Sequence, residues 1–313
     1  MRPSIVILDA DTLGNDLDLT PLREIGDVTS YHTTLPDETV EHIGNARIVI
    51  TNKVVIDEAV MMQAPALELI CVAATGMNNI DLAAAEKLGI EVKNVKGYST
   101  RSVAQHTFAM LFYLLEHMRY YDYAVRSGIW SVSGLFTDVT HPFFEIAGKK
   151  WGIIGMGEIG QEVARLAEAF GAHVAYYSTS GLNLSQRYLH QPLDVLLSTS
   201  DIVSIHAPLN EKTLMLLNET NLPLLKEKAV LLNLGRGGII NETDLAYELD
   251  RREIYAGLDV LEKEPVEKDN PLLHIEHKER LLITPHIAWT SIEARRKLLE
   301  GIVNNIKTYL SAR

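Results

Sequence analysis

A chain of 313 residues, 47% of them hydrophobic, is long enough for one large domain or two ordinary ones, and it reads as globular. Its net charge of −12 is spread along the whole length with no Lys/Arg block, so nucleic acid and anionic membrane surfaces have no electrostatic basis, and an anionic substrate needs a local cation. A single cysteine, Cys71, excludes an internal disulfide and a multi-thiolate metal site, and no metal is expected. The N-terminal run MRPSIVILDADT is too short for a signal peptide, and the longest apolar stretch, residues 108–115, is far below membrane-spanning length. A reducing cytoplasm is the expected location.

Along the chain, SIVILDA (4–10), ARIVIT (46–51), LELICVA (67–73) and GIEVKNV (89–95) read as buried strands, with helical patterns such as DEAVMMQAP and DLAAAEKLG between them. Within LELICVA, Cys71 reads as a packed, inert thiol. From Arg101 a continuous helical pattern runs to a glycine stop at Gly128. On this pattern His106, Met110, Met118, Tyr120 and Tyr121 read as packing residues. A second alternation follows: KKWGIIG (149–155), HVAYYS (173–178), DIVSIHAP (201–208), AVLLNLG (229–235), YAGLDV (255–260) and LLITPH (281–286). Strands and helices in this alternation make parallel α/β layers. The last helix, SIEARRKLLEGIVNNIKTYL, is amphipathic and returns to the first domain. The expected division is 1–100 with 289–313, and 101–288.

In WGIIGMGEIGQEVARLA (151–167), a strand, a glycine turn and a helix follow one another. Gly155 and Gly157 permit a tight turn and close approach of a pyrophosphate, and Gly160 lets the helix press on the strand. Met156, Glu158 and Ile159 belong to the same turn. A carboxylate about 20 residues on normally holds the adenosine ribose. Here that place falls in VAYYSTSGLN (174–183), on Tyr177, Ser178 and Thr179, with no acid. These hydroxyls suit a ribose or a phosphate, so NAD or NADP is expected with relaxed selectivity and a slight lean to NAD. Arg187 is too distant in sequence to assign.

With these residues in view, the chain resembles the D-isomer-specific 2-hydroxyacid dehydrogenases, and within them the glycerate dehydrogenase and hydroxypyruvate reductase branch. TNKVVID (51–57), VAATGMNNIDLAAAEKLGIEV (72–92), GYSTRSVAQHTFAML (97–111), GKKWGIIGMGEIG (148–160), HAPLNEKT (206–213), NLGRGGIINE (233–242), LDVLEKEP (258–265) and TPHIAWTS (284–291) match family motifs in order over nearly the whole length. The resemblance implies two doubly wound parallel-sheet α/β domains, a Rossmann nucleotide-binding domain inserted into a flavodoxin-like substrate domain. Gln105 departs from the Glu that many relatives carry there, which changes the charge next to His106.

The resemblance also implies the site. Arg236 would grip the substrate carboxylate with its planar fork and polarise the adjacent carbonyl. His286 would be the general acid/base. Glu264, directly before Pro265, would pair with it, the neighbouring Glu262 being the residue most easily confused with it. Backbone amides of Ala74, Thr75 and Gly76 would hold the carboxylate, with Asn52 on the opposite wall. Ala207, Pro208, Leu234 and Asp259 would face the cofactor. The expected reaction is reversible hydride transfer between nicotinamide and a small D-2-hydroxy acid, in the reductive direction on hydroxypyruvate or glyoxylate. A D-lactate-type or phosphoglycerate-type substrate is the alternative within the class, and a dinucleotide-sensing corepressor the alternative outside it. The apolar segment 103–123, through which relatives commonly pair, implies a homodimer.

Overall fold

Short runs of Val, Ile and Leu become parallel strands buried on both faces, the arrangement that favours unbroken apolar sequence over alternation. Ile48–Thr51 and Leu69–Val72 are buried at every residue. The computed structural model describes residues 2–182 and 187–312, which divide into two units: one of residues up to Ser99 with those from Thr290 onward, the other Thr100–Trp289.

In the first unit the chain runs β1 (Ser4–Ile7), α1 (Thr20–Ile25), β2 (Asp27–Ser30), α2 (Thr39–Ile43), β3 (Ile48–Thr51), α3 (Glu58–Met62), β4 (Leu69–Val72), α4 (Leu82–Leu88) and β5 (Glu91–Asn94). The sheet order β2-β1-β3-β4-β5, parallel throughout, is the flavodoxin-like order. Helix starts are set by local chemistry: Asp57 accepts from Val60 N and Asp81 from Ala84 N, satisfying first-turn amides. Strand β2 was absent from the sequence expectation. Its residues, DVTS, are mostly exposed at the sheet edge and give no apolar run. Cys71 is fully buried, and burial pushes its thiol up to about 12, so no thiolate forms near neutrality.

The second unit opens with α5 (Thr100–Leu115) and α6 (Met118–Arg126), where one continuous helix was expected. The break is at His117, whose φ of 50° is left-handed. Glu116 and His117 at the junction include no glycine or proline, which is why sequence alone shows no stop. Met110 is buried in the core, whereas Met118 is 49% exposed, against its expected packing role. Tyr120 and Tyr121 do pack, edge to face, with ring centroids 5.1 Å apart.

Then follow β6 (Lys150–Ile154), α7 (Glu158–Ala169), β7 (His173–Tyr177), β8 (Leu189–His190), α8 (Leu193–Thr199), β9 (Ile202–Ile205), β10 (Val230–Asn233), α9 (Glu242–Arg251), β11 (Tyr255–Leu258) and β12 (Leu281–Ile283). The parallel order β12-β11-β10-β9-β6-β7-β8 is the dinucleotide-binding order 3-2-1-4-5-6 carried one strand further. β8 is a two-residue, exposed edge strand that no sequence run announces. Val203, Ile205 and Leu231 face one hydrophobic layer, and Ile202, Val230 and Leu232 the other, with α5 and α7 covering the second. The final helix, α10 (Ile292–Ser311), belongs to the first unit and buries Leu298, Ile302 and Ile306. Gly301 is required there, because a Cβ would stand 2.5 Å from Val95 Cγ1.

Candidate active site

The glycine turn after β6 lies where the strand order reverses, between β6 and β9, the usual place for a ligand in an open α/β sheet. Gly155 has φ 95°, and a Cβ on it would meet the Ala207 backbone at 2.9 Å; on Gly160 one would meet Gly155 O at 2.1 Å. At Gly157, the N-cap of α7, nothing lies within 4 Å of an added Cβ. Two glycines therefore serve close packing, and the middle one leaves open space above the first-turn amides, which have no intrahelical acceptor. Met156 is buried, so only its backbone faces the turn; Ile159 packs on the core and Glu158 is exposed. Tyr177 O accepts from Gly155 N, which brings the end of β7 beside the turn.

Ser178 is buried and its Oγ accepts from Gly181 N at 3.1 Å, while Thr179 is half-buried. Arg187 is drawn away: its guanidinium bonds Glu168 Oε2 at 2.5 Å and lies over the Tyr188 ring. Ala207 and Leu234 are buried, and Pro208 is exposed with its carbonyl accepting from Thr213.

One neighbour escaped the sequence reading. His206 is buried at the end of β9, and neither ring nitrogen has a partner among the described residues. Burial pushes its imidazole down to about 3, so it stays neutral. Buried polar atoms without partners cost free energy and mark places where a bound group completes the hydrogen bonds. Open space at Gly157, free helix amides and this orphaned imidazole fit a dinucleotide. Only the pairing of imidazole with an adjoining glycine turn could have singled out His206, and sequence does not show that pairing.

Arg236 follows β10 in a run whose glycines are sterically required: a Cβ on Gly235 would stand 2.7 Å from Ala207 O, and one on Gly237 1.8 Å from Leu261 O. The half-buried guanidinium bonds the carbonyl of Gly235 at 2.9 Å and has no ion pair among the described residues. It keeps most of its donors for an incoming anion.

His286 Nδ1 and Glu264 Oε2 are 2.6 Å apart, and Glu264 Oε1 accepts from Leu261 N at 3.0 Å, so the carboxylate is itself held. Glu262 makes no such contact; its amide donates to Glu242. The His286 backbone is left-handed at φ 54°, a conformation costing roughly 1–2 kcal/mol for a non-glycine residue. Such strain persists only where surroundings over-determine it. Asp259 supplies the surroundings. Buried after β11, its carboxylate accepts Thr284 Oγ1 at 2.6 Å, Ile287 N at 2.9 Å and Ala288 N at 2.9 Å. Three of about four acceptor positions are thus spent on the loop carrying His286, a use of Asp259 that the cofactor-facing expectation missed. His106, expected to be core, meets this cluster: its Nε2 is 3.2 Å from Thr284 Oγ1. Burial lowers its pKa, with Asp259 opposing. Gln105 beside it is exposed.

In the first unit, the buried Asn52 donates its amide to Asp9, which also accepts from Lys53 N at 2.7 Å. Burial raises the Asp9 carboxyl, and these amides oppose the shift. The loop after β4 is tied to the end of β5 by Val95 N on Ala74 O and Asn94 Nδ2 on Thr75 O. Among the described residues the amides of Ala74, Thr75 and Gly76 have no acceptor, so consecutive donors remain open to an anion.

A glycine turn at the switch point of a dinucleotide-binding sheet, a histidine–carboxylate pair and a guanidinium with no ion pair among the described residues all lie in the second unit, the arrangement of a nucleotide-binding α/β domain. The family model described as "D-isomer specific 2-hydroxyacid dehydrogenase, NAD binding domain" matches residues 108–288. The chain is 37% identical to the hydroxypyruvate reductase of Blautia hydrogenotrophica over 98% of this chain and 96% of that one. It is 33% identical to the glycerate dehydrogenase of Methylorubrum extorquens over 100% and 98%. Among solved structures, the NADPH-dependent glyoxylate/hydroxypyruvate reductase of Sinorhizobium meliloti, in complex with NADP and malonate, superposes with a TM-score of 0.83 at 25% identity, covering 99% of this chain and 94% of that one. The chain belongs to the D-isomer-specific 2-hydroxyacid dehydrogenase family, and it is an enzyme that interconverts hydroxy and oxo acids with NAD or NADP.

Proposed function

We propose that the enzyme reduces hydroxypyruvate or glyoxylate to the D-2-hydroxy acid, reversibly, in the cytoplasm. The observation that carries the chemistry is the His286–Glu264 contact at 2.6 Å on a strained, tightly held loop. A carboxylate accepts hydrogen bonds, so it fixes the hydrogen on Nδ1 and leaves Nε2 to exchange the proton. When bound, the nicotinamide supplies the hydride at C2. Arg236 holds the substrate carboxylate and polarises the C2 carbonyl, while His286 gives its proton to the oxygen. Small-substrate names among the relatives favour hydroxypyruvate and glyoxylate over larger acids. The test is loss of reduced-nicotinamide absorbance with hydroxypyruvate, glyoxylate, pyruvate and 3-phosphohydroxypyruvate in parallel. Turnover on either of the first two at the highest kcat/KM supports the reading; no turnover on any of them sinks it.

Cofactor selectivity follows from the end of β7. Ser178 spends one lone pair on its own turn, Arg187 is held by Glu168, and no acid stands at Tyr177. Among the described residues at the end of β7, neither repulsion of a 2′-phosphate nor a bidentate grip on it is present. Both reduced cofactors should be used, with kcat/KM ratios within about 10², a gap of under ~3 kcal/mol, and NAD slightly ahead. A ratio beyond a thousandfold in either direction, measured at saturating oxo acid, contradicts this.

A homodimer is proposed on a surface shifted from the expected one. Residues 103–115 owe their apolarity to burial within their own unit. The unsatisfied apolar surface lies just beyond, where Trp130, Val132, Leu135, Phe136 and Phe143 are exposed, Phe136 at 91%. A soluble chain rarely leaves such a patch uncovered, and a symmetric copy covers it. Light scattering at micromolar concentration should give twice the single-chain mass, and Phe136→Asp with Val132→Asp should halve it. A single-chain mass for the unaltered protein refutes the dimer.

A further inference from the structure

His106 and Ser102 stand one helical turn apart on α5, and both reach the loop that carries His286. Ser102 Oγ donates to Ala288 O at 2.6 Å; His106 Nε2 is 3.2 Å from Thr284 Oγ1 and 3.6 Å from Asp259 Oδ1. The direction of this chain is set by donor supply. Asp259 already accepts the amides of Ile287 and Ala288, so the Thr284 hydroxyl turns its single hydrogen on Asp259 at 2.6 Å. One of its two lone pairs accepts from His106 Nε2–H. A histidine that merely filled the core would face apolar neighbours here, and this one faces a hydroxyl and a carboxylate.

We propose that His106 is a positioning residue of the reaction: by donating to Thr284 it completes the bonds through which Thr284 and Asp259 hold residues 284–288 in place, and with them the left-handed backbone of His286 and its imidazole. This rests on His286 as the proton donor. Hydrogen bonds in such a network strengthen one another, so loss of the outermost donor loosens the inner ones. A small displacement of a catalytic group is enough to slow turnover severalfold to a hundredfold.

The experiment compares His106→Leu, which removes the donor, with His106→Gln, whose amide keeps one, and with Thr284→Val, which removes the middle hydroxyl. Two readouts are taken in the full chain: kcat and KM for the oxo acid at saturating cofactor, and hydrogen exchange of the Ile287 and Ala288 amides without cofactor. For His106→Leu, kcat should fall about tenfold and those amides should exchange about tenfold faster, with cofactor affinity changed less than about threefold. His106→Gln should recover most of both, Thr284→Val should match His106→Leu, and the Leu/Val double variant should be no worse than either alone. The proposal is overturned if His106→Leu leaves rate and exchange within about twofold of the unaltered protein, or if His106→Gln is as impaired as His106→Leu. Should the leucine variant not fold, Thr284→Val with unaltered rate and exchange overturns it equally. Failure of the underlying reading looks different: His286→Gln would turn over normally while the His106 and Thr284 variants still loosened the Ile287 and Ala288 amides.

Discussion

Replacing His286 with Gln should lower kcat for oxo-acid reduction by about 10²–10⁴ while cofactor affinity stays within about twofold. Gln preserves length and polarity and can still meet Glu264 through its amide, but it has no proton to give at neutral pH. The loop should survive, because it is held by Asp259 through Thr284, Ile287 and Ala288 rather than by the imidazole itself. Gln suffers the same left-handed penalty as His, so the exchange costs little stability. Glu264→Gln should act more mildly, since a carboxamide can accept at Nδ1 yet also present a donor there, disturbing the tautomer without removing the acid. The ordering of the two effects is the informative quantity. A His286→Gln enzyme within tenfold of the unaltered kcat, assayed with hydroxypyruvate at saturating NADH, would remove His286 from proton transfer.

The elements that sequence made legible are those whose burial is uniform. β3, β4, β9 and β10 are buried at every residue, so the pattern of each is an apolar run that nothing else explains. β2 and β8 lie at sheet edges, exposed and polar, and their existence depends on a neighbour already in place. The α5–α6 break was hidden for a different reason: Glu116 and His117 include no glycine or proline, and only the φ of His117 ends the helix. Motif order pointed to the loops bearing Arg236, Glu264 and His286 as the candidate site, because chemistry limits which residue types serve. It could not name the groups that hold those loops. Asp9 clamps Asn52 and Lys53 from the end of another strand, and Asp259 clamps the His286 loop while His106 reaches it from a helix far back in the chain. Their periodicity or motif position suggested something blander, packing for His106 and cofactor contact for Asp259. Contacts of that kind depend on tertiary juxtaposition, which a single sequence does not encode at any fixed spacing.

Replacing Arg236 with Lys should cut kcat/KM for the oxo acid by about 10²–10³, through a higher KM as well as a lower kcat. The charge is kept, so a purely Coulombic role would leave most activity intact. What disappears is the planar fork, which can grip the carboxylate bidentately and still direct a donor at the carbonyl oxygen. A lysine ammonium has a single donor centre and reaches one of these at a time. The site also offers Lys nothing to replace the lost geometry: the arginine is steadied by its bond to the Gly235 carbonyl, and glycines at 235 and 237 pack backbone against Ala207 and Leu261, so the loop has no room to readjust. Because KM reports grip and kcat reports polarisation of the carbonyl as charge develops, the two losses can be read separately. An Arg236→Lys enzyme whose KM rises while kcat is unchanged would show that Arg236 only binds the carboxylate and that the carbonyl is polarised elsewhere. If both constants are unchanged, the substrate anion is held by other donors.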